Sequence, residues 1–240
     1  MKPQIIVDRD PGFHNKDLDK TRDRLIKGQS YRDLSTIAII PSRGMMATKV
    51  VQSWMQMMTP MNQKFIRLFM IGMEVGDAYN QGIEYILGNP ELSKWKYVLS
   101  MEDDNSVPPD GLLKLYEGIQ KYDVVGGLYW TKGEGGCPMI YGAPNVTPLS
   151  FTPQLPQPDC LQECRGLGMG FNLFKLDMFK DPRIPKPWFK TIQEYIPGQG
   201  ARAYTQDLKF FEEAGKAGYR FASDTRIKVG HYDVNSDITW

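Results

Sequence analysis

Histidine and cysteine are both scarce in this chain of 240 residues: His14 and His231 are the two histidines, and Cys137, Cys160 and Cys164 the three cysteines. Three cysteines are too few, and odd in number, for a disulfide framework. Cys160 and Cys164 also have no second Cys/His pair at zinc-finger spacing. Long hydrophobic runs are missing too. The longest apolar stretches, residues 37–41 and 65–73, fall far short of the roughly 20 residues a bilayer span needs. Residues 1–20 are charged where a signal peptide needs an apolar run. Neither sign of charge is in surplus, since 29 Lys and Arg face 28 Asp and Glu for a formal net charge of +1. A dedicated nucleic-acid or anionic-membrane binder draws its affinity from phosphate-neutralising cations, and this balance gives no general excess of them. These absences predict a soluble globular protein of a reducing compartment, the cytoplasm.

What is present is a core. With 41% hydrophobic residues, the chain can fill one well-packed domain, or two small lobes sharing a core, but not three. Residues 1–34 are rich in Asp, Arg and Lys around one apolar triplet, Ile5, Ile6 and Val7, and read as an appended arm or lid outside the central sheet. Regular alternation follows. Residues 36–40 are a β-branched run that stops at Pro41, as a buried parallel strand ending in a turn would. Residues 45–58 have helical spacing with Trp54 in the apolar stripe. Then come a strand at 65–70, a helix at 75–87, a strand at 95–101, a helix at 110–122 entered through Pro108 and Pro109, and a strand at 123–130.

Strand and helix alternating at this pitch predict an α/β fold with an open, mostly parallel, Rossmann-like sheet flanked by helices. Ligands in such sheets sit beyond the carboxyl ends of the strands, which directs attention to residues 41–44, 72–77 and 101–107. The second half changes character. Residues 132–158 are dense in Gly and Pro without periodicity, and a loop of that length inside a compact domain is usually functional or mobile. An apolar stretch at 166–179, a helix at 206–217 and a strand pair at 219–223 and 226–231 follow. We read residues 35–240 as one domain, with halves 35–131 and 132–240.

The sharpest chemical feature is Glu102-Asp103-Asp104 at the end of an apolar strand. Adjacent carboxylates repel, and residues two apart on extended backbone share a side, so Glu102 and Asp104 face together while Asp103 points elsewhere. A divalent cation relieves that repulsion and also bridges phosphates; a solvated acidic loop before a helix is the plain alternative. Gly168-Met169-Gly170 lets backbone approach a ligand closely, or is simply a tight turn into a strand. Asp207 falls in the first turn of a helix, where the dipole favours a carboxylate whether or not it does chemistry. His231 ends a β-type run near the end of the chain, and imidazole complements carboxylates at a metal such as manganese. His14 has no comparable setting.

Taken in order from about residue 36 to 232, these segments resemble nucleotide-sugar-dependent glycosyltransferases with the GT-A fold, nearest the family-2-like group. The resemblance implies a smaller acceptor-side subdomain beside the sheet. It makes Pro41, Ser42 and Arg43 the strand end that meets base and ribose, with Asn80, Glu102 and Asp103 also on the donor. In that family the position of Tyr79 usually carries Arg. Glu102 and Asp104 correspond to the acidic metal motif, with Glu102 in place of its first Asp, and His231 completes the metal site. Gly168, Met169, Gly170 and Trp188 fall on the acceptor side. Gln206-Asp207 corresponds to the acidic pair whose second member is the catalytic base of inverting members.

The implied activity is metal-dependent glycosyl transfer, with Mn2+ or Mg2+, from a nucleoside-diphosphate sugar (a UDP-sugar first) to an acceptor hydroxyl. The leaving diphosphate gathers charge that a bound cation offsets, the attacking hydroxyl loses its proton to Asp207, and direct attack inverts the anomeric centre. The acceptor is left open among glycan, protein and modified nucleobase, the last because Lys186, Lys190 and Arg202 form a basic cluster on that side. Trp188 and Trp130 are both aromatic platforms for a sugar or core residues, with core favoured for Trp130. The 132–158 loop is placed as a lid over the donor. A nucleotidyltransferase and a non-catalytic sugar-nucleotide-binding protein are the competing readings. The first usually carries a longer Gly-rich loop after its first strand, and the second is opposed by the intact Asp104, Asp207 and His231.

Overall fold

The computed structural model describes residues 4–9, 32–147, 149–197 and 200–240. Fifteen strands and four helices are formed by these residues. In chain order they are β1 (Gln4–Arg9), β2 (Thr36–Ser42), α1 (Thr48–Gln56), β3 (Phe65–Ile71), α2 (Val75–Gly88), β4 (Tyr97–Met101), β5 (Asn105–Ser106), α3 (Gly111–Gly118), β6 (Val124–Leu128) and β7 (Ile140–Tyr141). The second half adds β8 (Leu161–Cys164), β9 (Gly166–Leu167), β10 (Phe171–Lys175), β11 (Ile192–Ile196), β12 (Gly200–Tyr204), α4 (Gln206–Lys216), β13 (Phe221–Lys228), β14 (Gly230–Asp233) and β15 (Ile238–Thr239).

Eight strands make the central sheet, in the order β1-β3-β2-β4-β10-β6-β13-β8. β3, β2 and β4 are mutually parallel, as are β6 and β13, while β1, β10 and β8 run against their neighbours. Because β10 is antiparallel to both β4 and β6, five strands share one direction and bring their carboxyl ends to one edge. This is the α/β sheet, parallel over most of its core and flanked by helices, expected from the sequence.

The apolar runs have no polar alternation because both faces of the sheet are covered. Along β2, Ile37 and Ile39 pack into a cluster with Ala78, Tyr79, Ile83 and Ile86 of α2 and Phe210 and Phe211 of α4. The intervening Ala38 and Ile40 pack on the opposite face with Val50 and Trp54 of α1 and Leu112 and Leu115 of α3. α2 starts where the Glu74 carboxylate accepts a hydrogen bond from the Asp77 N–H at 3.1 Å, a side-chain cap on an otherwise unpaired donor.

Four expectations need correction. β2 does not stop at Pro41 but runs on through Pro41 and Ser42 beside Met70 and Ile71 of β3. Its ladder to β4 ends at Ile39, and a proline, which has no N–H to donate, is tolerated once that side is open. Residues 219–223 and 226–231 are not a strand pair. One strand, β13, runs from Phe221 to Lys228 with a register irregularity between Asp224 and Lys228, and β14 turns away to pair with β5. The helix expected at 110–122 is shorter, spanning Gly111–Gly118. Gln4–Arg9 is an antiparallel edge strand on β3 rather than part of an arm outside the sheet. Most of the remaining arm, including His14, lies outside the described residues.

Candidate active site

The carboxyl ends of β2 and β4 lie side by side and bring residues 41–44 and 101–107 together. The Arg43 N–H donates to Asp103 Oδ2 at 3.3 Å, and Ser42 Oγ accepts from the Gly44 N–H at 3.0 Å. Beyond β4 the chain makes a tight turn, with the Asn105 N–H bonded to the Glu102 carbonyl at 3.0 Å. It then pairs β5 with β14 in a short antiparallel ladder that sets His231 opposite Asn105. The Tyr232 N–H donates to the Asp104 carbonyl at 2.7 Å, which locks the two segments in register.

That ladder places His231 Nε2 3.4 Å from Asp104 Oδ2. The other ring nitrogen, Nδ1, lies 2.8 Å from the Trp130 carbonyl oxygen. A carbonyl only accepts, so Nδ1 carries the proton of the neutral ring and Nε2 presents a lone pair to the carboxylate. Two lone-pair bearers facing each other repel unless a proton or a cation lies between them. A histidine whose far N–H is spent on a backbone carbonyl is the usual second-shell arrangement of a metal ligand. Lys132 Nζ donates to the same Asp104 Oδ2 at 2.6 Å. Burial, the largest influence, acts to raise the Asp104 carboxyl, but the adjoining His231 ring and the Lys132 ammonium outweigh it and hold the group below its ordinary range.

Among the described residues no three His, Cys, Asp or Glu side chains converge on one point. Asp104 and His231 are therefore a pair, and Glu102, expected at the metal directly or through water, stands beside them without closing a three-residue cluster. Two protein ligands suit a hard divalent cation that takes its remaining oxygens from substrate phosphates and water; they do not make a self-sufficient protein cage. Glu102 sits partly buried beside this pair, pushed up to about 8 by burial and then by the like charges of Asp104, Asp207 and Asp103.

Asp207 is 7% exposed in the first turn of α4. Burial raises its carboxyl, while bonds from Thr205 and the Leu208 N–H, the latter at 2.9 Å, oppose the rise. Its charge also helps to raise Glu102, Tyr79, Tyr129 and Tyr141, so base candidate and acidic turn share one electrostatic neighbourhood.

The Gly168-Met169-Gly170 segment forms the floor. The Gly170 N–H donates to the Tyr129 hydroxyl at 2.9 Å, and the Gly170 carbonyl accepts from the Glu102 N–H at 3.2 Å. A Cβ on Gly170 would stand 2.8 Å from Asn105 Oδ1 and from the Tyr129 ring, and one on Gly168 would strike the Tyr129 hydroxyl and the Met139 methyl. Glycine is required here for close packing of the floor against Tyr129. Met169 is buried. Asn172, wholly buried below, fixes the turn by donating to the Gly168 carbonyl at 2.7 Å.

Three sequence assignments land elsewhere. Asn80, expected on the nucleotide, donates to the Phe189 carbonyl at 2.7 Å and accepts from the Phe189 N–H at 3.0 Å, so both ends of its amide serve to fasten α2 to the segment before β11. Trp188 is 3% exposed and packs edge-on against Phe179 at 5.8 Å, which leaves no face for a sugar. Trp130, favoured as core, is 38% exposed beside His231. The exposures of the two tryptophans are the reverse of those expected because the chain folds the 187–189 stretch inward over the Phe cluster, a packing outcome with no periodic signal.

Sequence reasoning missed Lys132, Tyr129 and the buried, partnerless hydroxyl of Tyr79. A cation just beyond a strand end and beside three glycines, in the zone already marked for chemistry, was the available signal for Lys132.

No protein-family model matches the chain, and no curated protein matches its sequence. Among solved structures it is similar to the crystal structure of A197 from STIV, at 18% identity over 83% of this chain and 86% of that one, with a TM-score of 0.58. This is a likeness of fold. It is also matched to S. aureus TarS 1-349, at 14% identity, 81% and 60% coverage and a TM-score of 0.45, and to the same fragment in complex with UDP-GlcNAc, at 12% identity, 81% and 58% coverage and a TM-score of 0.42. The chain spans about three fifths of that fragment. No described helix is long and apolar enough to cross a membrane.

Proposed function

We propose that this protein is a glycosyltransferase that moves a sugar from a nucleoside diphosphate to an acceptor hydroxyl, with inversion and with a divalent cation. The observation that carries this reading is the Asp104–His231 pair, whose ring is fixed by the Trp130 carbonyl so that Nε2 faces the carboxylate at 3.4 Å. Asp207 lies in the same electrostatic neighbourhood, in the first turn of a helix.

Asp104 and His231 would hold Mn2+ or Mg2+, which when bound supplies Lewis-acid compensation for charge gathering on the leaving diphosphate. The strand end Pro41, Ser42 and Arg43 stands beside Asp103 and offers the base and ribose a backbone edge. Asp207 takes the proton of the attacking hydroxyl. Its burial holds the carboxyl above the ordinary range and so makes it a better base once ionised. Attack on the face opposite the diphosphate inverts the centre, as in single-displacement glycoside chemistry. The exposed Trp130 ring offers a sugar an apolar face at the mouth of the site, the role first divided between it and Trp188.

A thermal-shift screen of sugar nucleotides, with Mn2+ and with chelator, tests the reading. One donor should raise the Tm with the metal and fail to do so with chelator. Asp207→Asn should keep that shift while losing turnover by a factor of roughly 10² to 10⁴. Silence towards every sugar nucleotide in a folded sample would sink the proposal.

A further inference from the structure

Asp104 Oδ2 is contested: it accepts the Lys132 ammonium at 2.6 Å while His231 Nε2 faces it at 3.4 Å. A divalent cation held by Asp104 and His231 would need that oxygen as a ligand. An ammonium and a divalent ion cannot both occupy it, because two cations at such range repel strongly. Lys132 is well placed to leave. Its side chain is one third exposed, its charge has a flexible stem, and the residues after it include Gly133 and Gly135, both with positive φ (102° and 73°), and Gly136. Two other carboxylates, Glu102 and Asp233, also lie within the field of its charge.

We propose that Lys132 is an exchangeable cation. It closes Asp104 when no divalent ion is bound, gives way when one enters with a nucleoside diphosphate, and then neutralises the diphosphate oxygens that the ion does not reach. The protein thus holds the acidic turn neutralised in both states, and binds free metal weakly without its nucleotide. The second half of this inference rests on the transferase reading; the competition at Asp104 does not.

Titration with Mn2+ alone, followed by EPR of the free ion, tests the competition in the wild type, Lys132→Met, Lys132→Arg and Asp104→Asn. Lys132→Met removes the charge and keeps the stem, and should bind Mn2+ at least tenfold more tightly than the wild type. Lys132→Arg should stay near the wild type, and Asp104→Asn should lose the site. Calorimetry with UDP at saturating Mn2+ tests the second half, where Lys132→Met should bind at least fivefold more weakly. Equal Mn2+ affinity in wild type and Lys132→Met overturns the competition. Tighter Mn2+ with unchanged UDP affinity overturns the transfer of the ammonium to the diphosphate. If the wild type binds no UDP with or without Mn2+, the transferase reading and the diphosphate role fall together, while the Mn2+ comparison still decides the competition. Melting curves of each variant identify a misfolded one, and if Lys132→Met is misfolded, Lys132→Gln, which also removes the charge, takes its place with the same expected tightening.

Discussion

Glu102 gives the site its pH signature. Its carboxyl titrates near 8 in the folded protein against an ordinary value of 4.5. Between those values the folded state holds more protons than the unfolded one, so stability falls as pH rises. The contribution of this proton is complete below about 4.5 and is lost as pH climbs through 8. Asp207, also raised, acts in the same sense. Asp104, lowered, acts in the opposite sense and costs stability only as the solution becomes acidic. Urea midpoints measured from pH 5 to 8 should decline in the wild type and decline distinctly less in Glu102→Gln; parallel curves would remove Glu102 from the account. At this scale the sequence was informative where a residue's place in an element carries meaning. Glu102 and Asp104 at a strand end and Asp207 in a first turn were legible for that reason. Lys132 was not, since it lies in a segment without period. Tyr129 was not, because an aromatic in an apolar strand reads as core, and it is core as well as floor.

At the scale of elements, the alternation along β2 was readable because each residue must satisfy one of two covered faces. The β5–β14 ladder was invisible, since two-residue strands have no period, yet it places His231 on Asp104. The Asn80 latch is similar: nothing in 75–87 announces that its amide will pair with a backbone segment more than a hundred residues away. Removing it with Asn80→Ala leaves the Phe189 N–H and carbonyl without their partner. The expected loss is about 1–3 kcal/mol in urea unfolding, with UDP affinity little changed in the fraction that stays folded. The reverse pattern, full stability with weakened UDP binding, would return Asn80 to the nucleotide.

For the whole molecule, composition and alternation were enough to predict an α/β sheet, because strands buried on both faces leave continuous apolar runs. Strand direction was less legible. Period and burial are the same whether a strand runs up or down, so nothing in 166–179 said that β10 would enter antiparallel between β4 and β6. The consequence is that the boundary we drew at 131 and 132 does not divide the sheet. A fragment of residues 35–131 would lose β10 and β13 and leave the facing edges of β4 and β6 unpaired. Expressed alone, it should aggregate or stay unfolded in circular dichroism and size exclusion. A monomeric folded fragment would show the first half to be self-sufficient.

That shared strand also sets how the molecule can move. Enzymes that engulf a substrate by swinging two lobes need a hinge, and a hinge needs a line across which few hydrogen bonds run. Here the line between the halves is crossed by four ladders, β10 on β4, β10 on β6, β13 on β6 and β14 on β5, with β10 held on both edges like a batten. Jaw-like closure is mechanically barred. Under the proposed function, whatever opens and shuts around a substrate would be thin and local, such as the glycine-bearing segment that starts at Lys132. Under the proposed transfer, turnover would keep the time of a loop rather than of a domain.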